Sequence, residues 1–151
     1  MNNDLLGMRC LDKKLILIDE VGAHGGLPLQ NKMEFTPAEI KPLIKIEDVE
    51  KIDVRVGTIV AVDEVENASK LVKLTVSFGD HQRTILAAIK NERPDPKEIE
   101  GKQALFIVNL EPRKMRGETS EGMLFDIGYA DGLTPVLAMP EKPIKDGARA
   151  G

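Results

Sequence analysis

An all-β fold is what this sequence predicts: a small five-stranded Greek-key barrel with short flanking helices. Three observations carry the prediction. Hydropathy alternates with period two through three successive segments between residues 53 and 89. A stretch at 91–101 with two prolines, one helical turn and a final glycine then interrupts the strands. Strand-length apolar runs resume at 103–110, 123–127 and 135–139.

Residues 1–40 read as an N-terminal extension, with at best one strand in KKLILIDE at 13–20 and then a loop punctuated by glycine and proline. Around Thr36 the spacing predicts a capped helix: Thr36 caps, Pro37 suits the first position and Glu39 completes a capping box. Met33, just before it, is a candidate biological start. The barrel is expected over 41–151. Ile46, Val49 and Ile52 lie three apart and predict a short amphipathic helix leading into the first strand. In that strand Val54, Val56, Thr58, Val60 and Val62 share one face, and Gly57 is expected to mark a bulge or a sharp coil. The segment at 70–79 turns Val72, Leu74, Val76 and Phe78 inward. A hairpin turn at 79–82 and a third strand at 83–89 follow. The tail from 140 to 151 is polar and turn-rich. Three strands, a helical insert and further strands match the order of an OB-fold. An all-β sandwich competes, but a long first strand kinked at Gly57 suits a barrel whose two halves share it.

Composition narrows the function. The chain has 151 residues, enough for one domain and an appendage. No apolar stretch approaches the roughly 18 residues of a membrane span, and no signal-peptide pattern opens the chain, so a cytoplasmic location is expected. A net charge of -4 denies it the all-over basic surface of a general nucleic-acid binder, so any such function rests on a local patch. One cysteine excludes an internal disulfide, and with only two histidines a metal site is not expected. Aromatic content of 3% argues against stacking successive bases. No acid–base pair or phosphate loop emerges, so neither catalytic residues nor a cofactor is expected.

The most informative segment is NLEPRKMRG at 109–117, followed by SEGML at 120–124. Arg113, Lys114 and Arg116 gather three positive charges within four residues of an acidic chain. Pro112 and Gly117 frame the run as a shaped loop, at a barrel mouth where phosphates can meet it. The bland alternative is a solvated charge run.

With DVRVG at 53–57 and ENASKL at 66–71, these motifs resemble, in order, those of the tRNA-binding domain found at the C-terminus of many methionyl-tRNA synthetases and as free-standing proteins. The resemblance spans about residues 47–149, and the free-standing bacterial form is the closer likeness because no synthetase catalytic domain precedes this copy. It implies an OB-fold that dimerises through its flanking segments and grips the outside of the tRNA elbow by shape. The binding set it implies is Asn67 and Lys70 in the first loop, Arg113, Lys114 and Arg116 in the basic loop, and Ser120 and Met123 beside it. An aminoacyl-tRNA synthetase is a further candidate partner. Ala87-Ala88 stands where Ser-Gly is usual and removes a hydroxyl, while Glu66 and Ser69 depart from the usual proline and aspartate.

Each residue has a structural reading as well. Asn67 suits a left-handed turn, Met115 can plug the barrel mouth, and Asp53 can pair with Arg55. His24 and His81 read as loop and turn residues. A protein-binding chaperone on the same fold is the alternative function, and a contiguous exposed apolar groove above about 400 Å² would favour it.

Overall fold

The computed structural model describes residues 34–151. Contacts divide the chain into two units, Met1–Ala38 and Glu39–Gly151, and every element below belongs to the second. The strand expected at 13–20, His24 and the candidate start at Met33 lie outside the described residues.

The helix expected from Thr36 does not form: residues 34–45 have no regular structure. Pro42 explains the failure, because it removes a backbone donor and pushes Lys41 out of the helical region, leaving less than two turns to nucleate. The next expected helix does form, as α1 (Ile46–Glu50), with Asp48 accepting from the Lys45 amide at 3.3 Å. Its stripe of Ile46, Val49 and Ile52 stays exposed.

The strands are β1 (Val54–Glu64), β2 (Val72–Ser77), β3 (Gln82–Ala87), β4 (Gln103–Ile107), β5 (Arg113–Met115), β6 (Glu118–Ser120), β7 (Met123–Leu124), β8 (Asp126–Ile127), β9 (Val136–Leu137) and β10 (Arg149–Ala150). The main sheet runs β3-β2-β1-β4-β7, all antiparallel, and curls into an OB-like barrel. Its long strand β1 is shared as expected. The first half pairs with β4, Val54 opposite Ile107 through Thr58 opposite Gln103, and the second half pairs with β2.

The alternation in β1 is broken, and not at Gly57. The register against β2 slips between Ile59 and Ala61, so Val60 is the bulged residue. Ile59 is fully buried and Val60 is 47% exposed, the reverse of a single face running from Val54 to Val62. Gly57 serves close packing instead: a Cβ there would lie 2.6 Å from Val76 Cγ1 and 2.9 Å from Phe78 Cε1. The residues after the 3-10 turn at Pro96–Ile99 dock on β1 on either side of the bulge at Val60. Gly101 donates to the Ile59 carbonyl at 2.7 Å, Ile59 to Lys102 at 3.0 Å, and Val62 to the Glu100 carboxylate at 2.9 Å.

Inward residues of β2 behave as the period predicts, with Val72, Leu74, Val76 and Phe78 all buried. They meet Ile85, Ile99, Phe106 and Leu124 in one core. The tail is more ordered than its polar composition suggests. Gly147 donates to the Val56 carbonyl at 2.8 Å, Val56 donates to Ala148 at 2.9 Å, and β10 lies beside Val54 and Arg55. Asp146 fastens it by accepting from Thr58 at 2.7 Å and from Gln103 at 2.8 Å.

Candidate nucleic-acid interface

The basic segment is a two-stranded hairpin rather than the loop its sequence suggests. In β5 and β6, Arg113 faces Ser120, Lys114 faces Thr119 and Met115 faces Glu118. Arg116 and Gly117 form the turn with φ of 54° and 83°, the two positive angles that a two-residue hairpin of the favoured twist demands. Gly117 adopts this at no cost, whereas an arginine in the left-handed region costs about 1–2 kcal/mol. Because directly opposed residues share a face, Arg113, Met115, Glu118 and Ser120 lie on one side, Lys114 and Thr119 on the other, and Arg116 at the tip. The cations therefore surround the hairpin instead of forming a flat patch.

The hairpin's foot closes the barrel. Strand β3 is the edge of the main sheet, and its outward amides are met by side chains. Ser120 Oγ accepts from the Leu86 amide at 3.0 Å and donates to the Gly122 carbonyl at 3.0 Å. The Glu121 carboxylate accepts from the Thr84 amide at 2.9 Å, and the Glu121 amide donates to the Thr84 carbonyl at 2.8 Å. Arg83 donates one guanidinium nitrogen to both Val108 and Glu121 carbonyls. Ser120, only 5% exposed, is thus a buried fastening. Met123 is exposed and sits between two grooves that flank the hairpin, one of about 710 Å³ and one of about 470 Å³. Met115 is half-buried and lines the smaller.

Lys73 of β2 binds Glu118 at 3.1 Å and so holds the hairpin tip against the start of β2. The loop carrying Asn67 and Lys70 runs directly into that strand. Asn67 has φ of 57°, the left-handed conformation its structural reading anticipates. Glu66 and Ser69 do not loosen this loop. Ala68 donates to Val65 at 3.2 Å, Lys90 to the Lys70 carbonyl at 3.1 Å, and Asn91 to the Ser69 carbonyl at 3.1 Å. Among the described residues Lys70, Arg113, Lys114 and Arg116 make no ion pair, as is also true of Lys41, Lys45, Arg83, Lys97, Lys102, Lys142 and Lys145, whereas Lys51, Arg55, Lys73, Lys90, Arg93 and Arg149 do.

Two structural roles in the motifs escape sequence reading. Asn109 clamps the start of β1, accepting from the Asp53 amide at 2.8 Å and donating to the Lys51 carbonyl at 2.6 Å. Glu121 fastens β3, as described above. The pairing of Asp53 with Arg55 is the expected one, at 2.9 Å, and the Arg55 hydrogen bond holds the Asp53 carboxyl below its ordinary range.

A family model described as "Putative tRNA binding domain" matches residues 54–149. The chain belongs to this family. Among curated relatives, a methionine–tRNA ligase of Chlorobium luteolum is 42% identical over 111 residues, covering 74% of this chain and 15% of the ligase. A methionine–tRNA ligase of Chlorobium phaeovibrioides is 40% identical over 127 residues, 83% of this chain and 17% of the ligase. The chain thus corresponds to less than a fifth of the length of these relatives. Among solved structures, a protein related to methionyl-tRNA synthetase from Pyrococcus horikoshii is similar with a TM-score of 0.68 and 34% identity, covering 74% of this chain and 100% of that one. The CsaA chaperone of Picrophilus torridus is similar with a TM-score of 0.63 and 29% identity, covering 72% of this chain and 100% of that one. No helix among the described residues is long and apolar enough to cross a membrane.

Two predictions follow from the closure and the groove beside it. Ser120→Ala strands the buried Leu86 amide and should cost about 1–3 kcal/mol in urea unfolding, with faster hydrogen exchange at Leu86. A loss below about 0.5 kcal/mol would show that water replaces the hydroxyl. Burial pushes the Asp126 carboxyl above its ordinary value of 3.8, and Glu92 is raised by burial first and by Asp126 second. The folded state therefore holds these protons more tightly than the unfolded chain. Their contribution is complete below pH 3.8 and lost as pH rises through the raised folded values. Asp126→Asn should accordingly raise the thermal midpoint at pH 7 relative to wild type and leave the difference near zero at pH 3. An equal gain at both pH values would contradict this.

Proposed function

We propose that this chain binds folded tRNA without catalysing a reaction, through the basic hairpin and the Asn67–Lys70 loop, as a cytoplasmic homodimer. The observation that carries the reading is the clustering of three cations without ion pairs on one hairpin, which Lys73–Glu118 ties near the tip and Ser120 and Glu121 tie at the foot. Free guanidinium and ammonium groups of this kind exchange counterions for phosphates, and backbone contacts position RNA without reading its sequence. OB-folds bind oligonucleotides through the first loop and the loop between the last two barrel strands, the places where these two features sit. Arg113, Lys114, Arg116 and Lys70 are assigned to phosphates, Asn67 and Met123 to sugar and base edges, and Ser120 to positioning the hairpin. The reading needs no cofactor or metal. An aminoacyl-tRNA synthetase is a second partner, because the matched relatives carry this segment within methionine–tRNA ligases.

Dimerisation is inferred from apolar surface left without cover. Ile46, Val49, Ile52, Val136 and Met139 are all exposed, whereas Leu137 packs on the core. Capture of unfolded polypeptide is the second reading, favoured by the likeness to the chaperone.

Each alanine replacement at Arg113, Lys114 or Arg116 should reduce the slope of log K against log salt by roughly 0.7 to 0.9, equally for tRNAs of different anticodon. Reversal of all three charges should abolish measurable binding with little change in thermal midpoint; wild-type affinity and slope in that variant would put the chaperone first. Sedimentation equilibrium should return twice the chain mass of 16.6 kDa. A monomer at micromolar concentration would remove the dimer.

A further inference from the structure

The larger groove beside the hairpin holds chemistry that phosphate binding does not use. Its walls are Ala87 and Ala88 at the end of β3, Met123 and Phe125, the segment from Asp126 to Asp131, and Arg113. Tyr129 projects there from a single 3-10 turn, Tyr129–Asp131, and is 63% exposed. That turn is rigid: Asp131 and Leu133 both donate to the Gly128 carbonyl at 3.0 Å, and Gly132 donates to Tyr129 at 3.2 Å. Asp126 lies half-buried in the wall and has no hydrogen-bond or ion-pair partner among the described residues. Ala87-Ala88 leaves this stretch of wall without a hydroxyl, so the polar side chains of the groove are Arg113, the Tyr129 hydroxyl and the carboxyls of Asp126 and Asp131.

We propose that this groove seats one unpaired nucleobase bearing an exocyclic amino group, stacked on Tyr129, with its phosphate on Arg113. The proposal rests on the tRNA-binding reading and deepens it. Continuity supports it, since Arg113 and Met123 belong both to the groove and to the hairpin surface. Charge supports it as well. The groove's lining includes a cation, Arg113, and a carboxyl without a partner, Asp126, and a nucleotide offers a phosphate to the first and, where its base carries one, an exocyclic amine to the second. An apolar peptide side chain would leave the Asp126 carboxyl buried without a partner, which is costly. A carboxylate that accepts from the cytosine amino group is an established means of telling bases apart, and an unstacked base on an aromatic ring is the usual means of reading RNA outside helices. Low aromatic content rules out a platform for successive bases but leaves room for one seat.

Tyr129 is the chain's only tyrosine, and there is no tryptophan, so the groove carries its own reporter. The full chain labelled with 3-fluorotyrosine gives one ¹⁹F resonance. Adenosine and cytidine 5′-monophosphate should shift it saturably, uridine 5′-monophosphate should do so more weakly, and ribose 5-phosphate should leave it unmoved. Asp126→Asn should erase the difference between cytidine and uridine nucleotides. Tyr129→Leu should weaken tRNA binding roughly five- to hundredfold while leaving the salt slope unchanged, because no phosphate contact is removed. Three results would overturn the proposal: tRNA binding that neither moves the resonance nor weakens in Tyr129→Leu, a response to an apolar peptide but not to nucleotides, or a resonance that moves only with protein concentration. The first leaves tRNA binding by the hairpin standing. Loss of that reading shows separately, as a hairpin charge-reversal variant that still binds tRNA.

Discussion

The closure of the barrel along β3 is the constraint from which the placement of the basic hairpin follows. An exposed sheet edge offers unpaired amides to water or to another chain, and a small barrel has to satisfy them or leave an aggregation-prone template. Here no continuous strand completes the ladder. Two side chains from the segment at 120–121 accept from the Leu86 and Thr84 amides, and Arg83 reaches back to two carbonyls. Closing by side chains frees the backbone just before Ser120 to depart from the barrel as a hairpin. The same contacts aim that hairpin: Ser120 is cross-strand partner to Arg113, so fixing one places the other. Barrel stability and cation placement are therefore one problem in this chain.

Strand β1 imposes the second constraint. It must pair with β4 and β10 over its first half and with β2 over its second, which requires a change of direction within eleven residues. The bulge at Val60 supplies the turn, and the missing side chain at Gly57 lets β2 approach closely enough for Val76 and Phe78 to fill the barrel. A glycine and a bulge three residues apart divide work that the sequence alone assigns to the glycine.

Legibility in the sequence tracks how local each determinant is. The inward set of β2, the left-handed Asn67 and the Asp53–Arg55 pair are all set by neighbours within a few residues, and each is readable from period or turn chemistry. The helix at Thr36 has a local start signal, but Pro42 overrides it, a breaker that weighs more than a capping box. What escapes reading is nonlocal. Ser120 looks like an exposed polar residue beside a basic run, and only its partner 34 positions away makes it a buried fastening. Asn109 opens the most informative motif yet serves the start of β1, reaching Lys51 58 positions away. A motif marks which residues act together without saying which of them touch the ligand and which hold the others in place.

Arg116 illustrates how strain separates these two kinds of residue. Its left-handed conformation would suit asparagine or glycine better, and no ion pair among the described residues returns the cost. The residues that hold the hairpin are inexpensive in this sense: Glu118 and Lys73 pair in ordinary strand geometry. A cation kept at a turn tip against its backbone preference, without an ion pair among the described residues, lowers folding stability and contributes nothing to the core. Such outliers persist where the cost is recovered on binding. On the tRNA-binding proposal, the net charge of -4 on the whole chain then disfavours polyanion contact away from the cations of the hairpin and of Lys70.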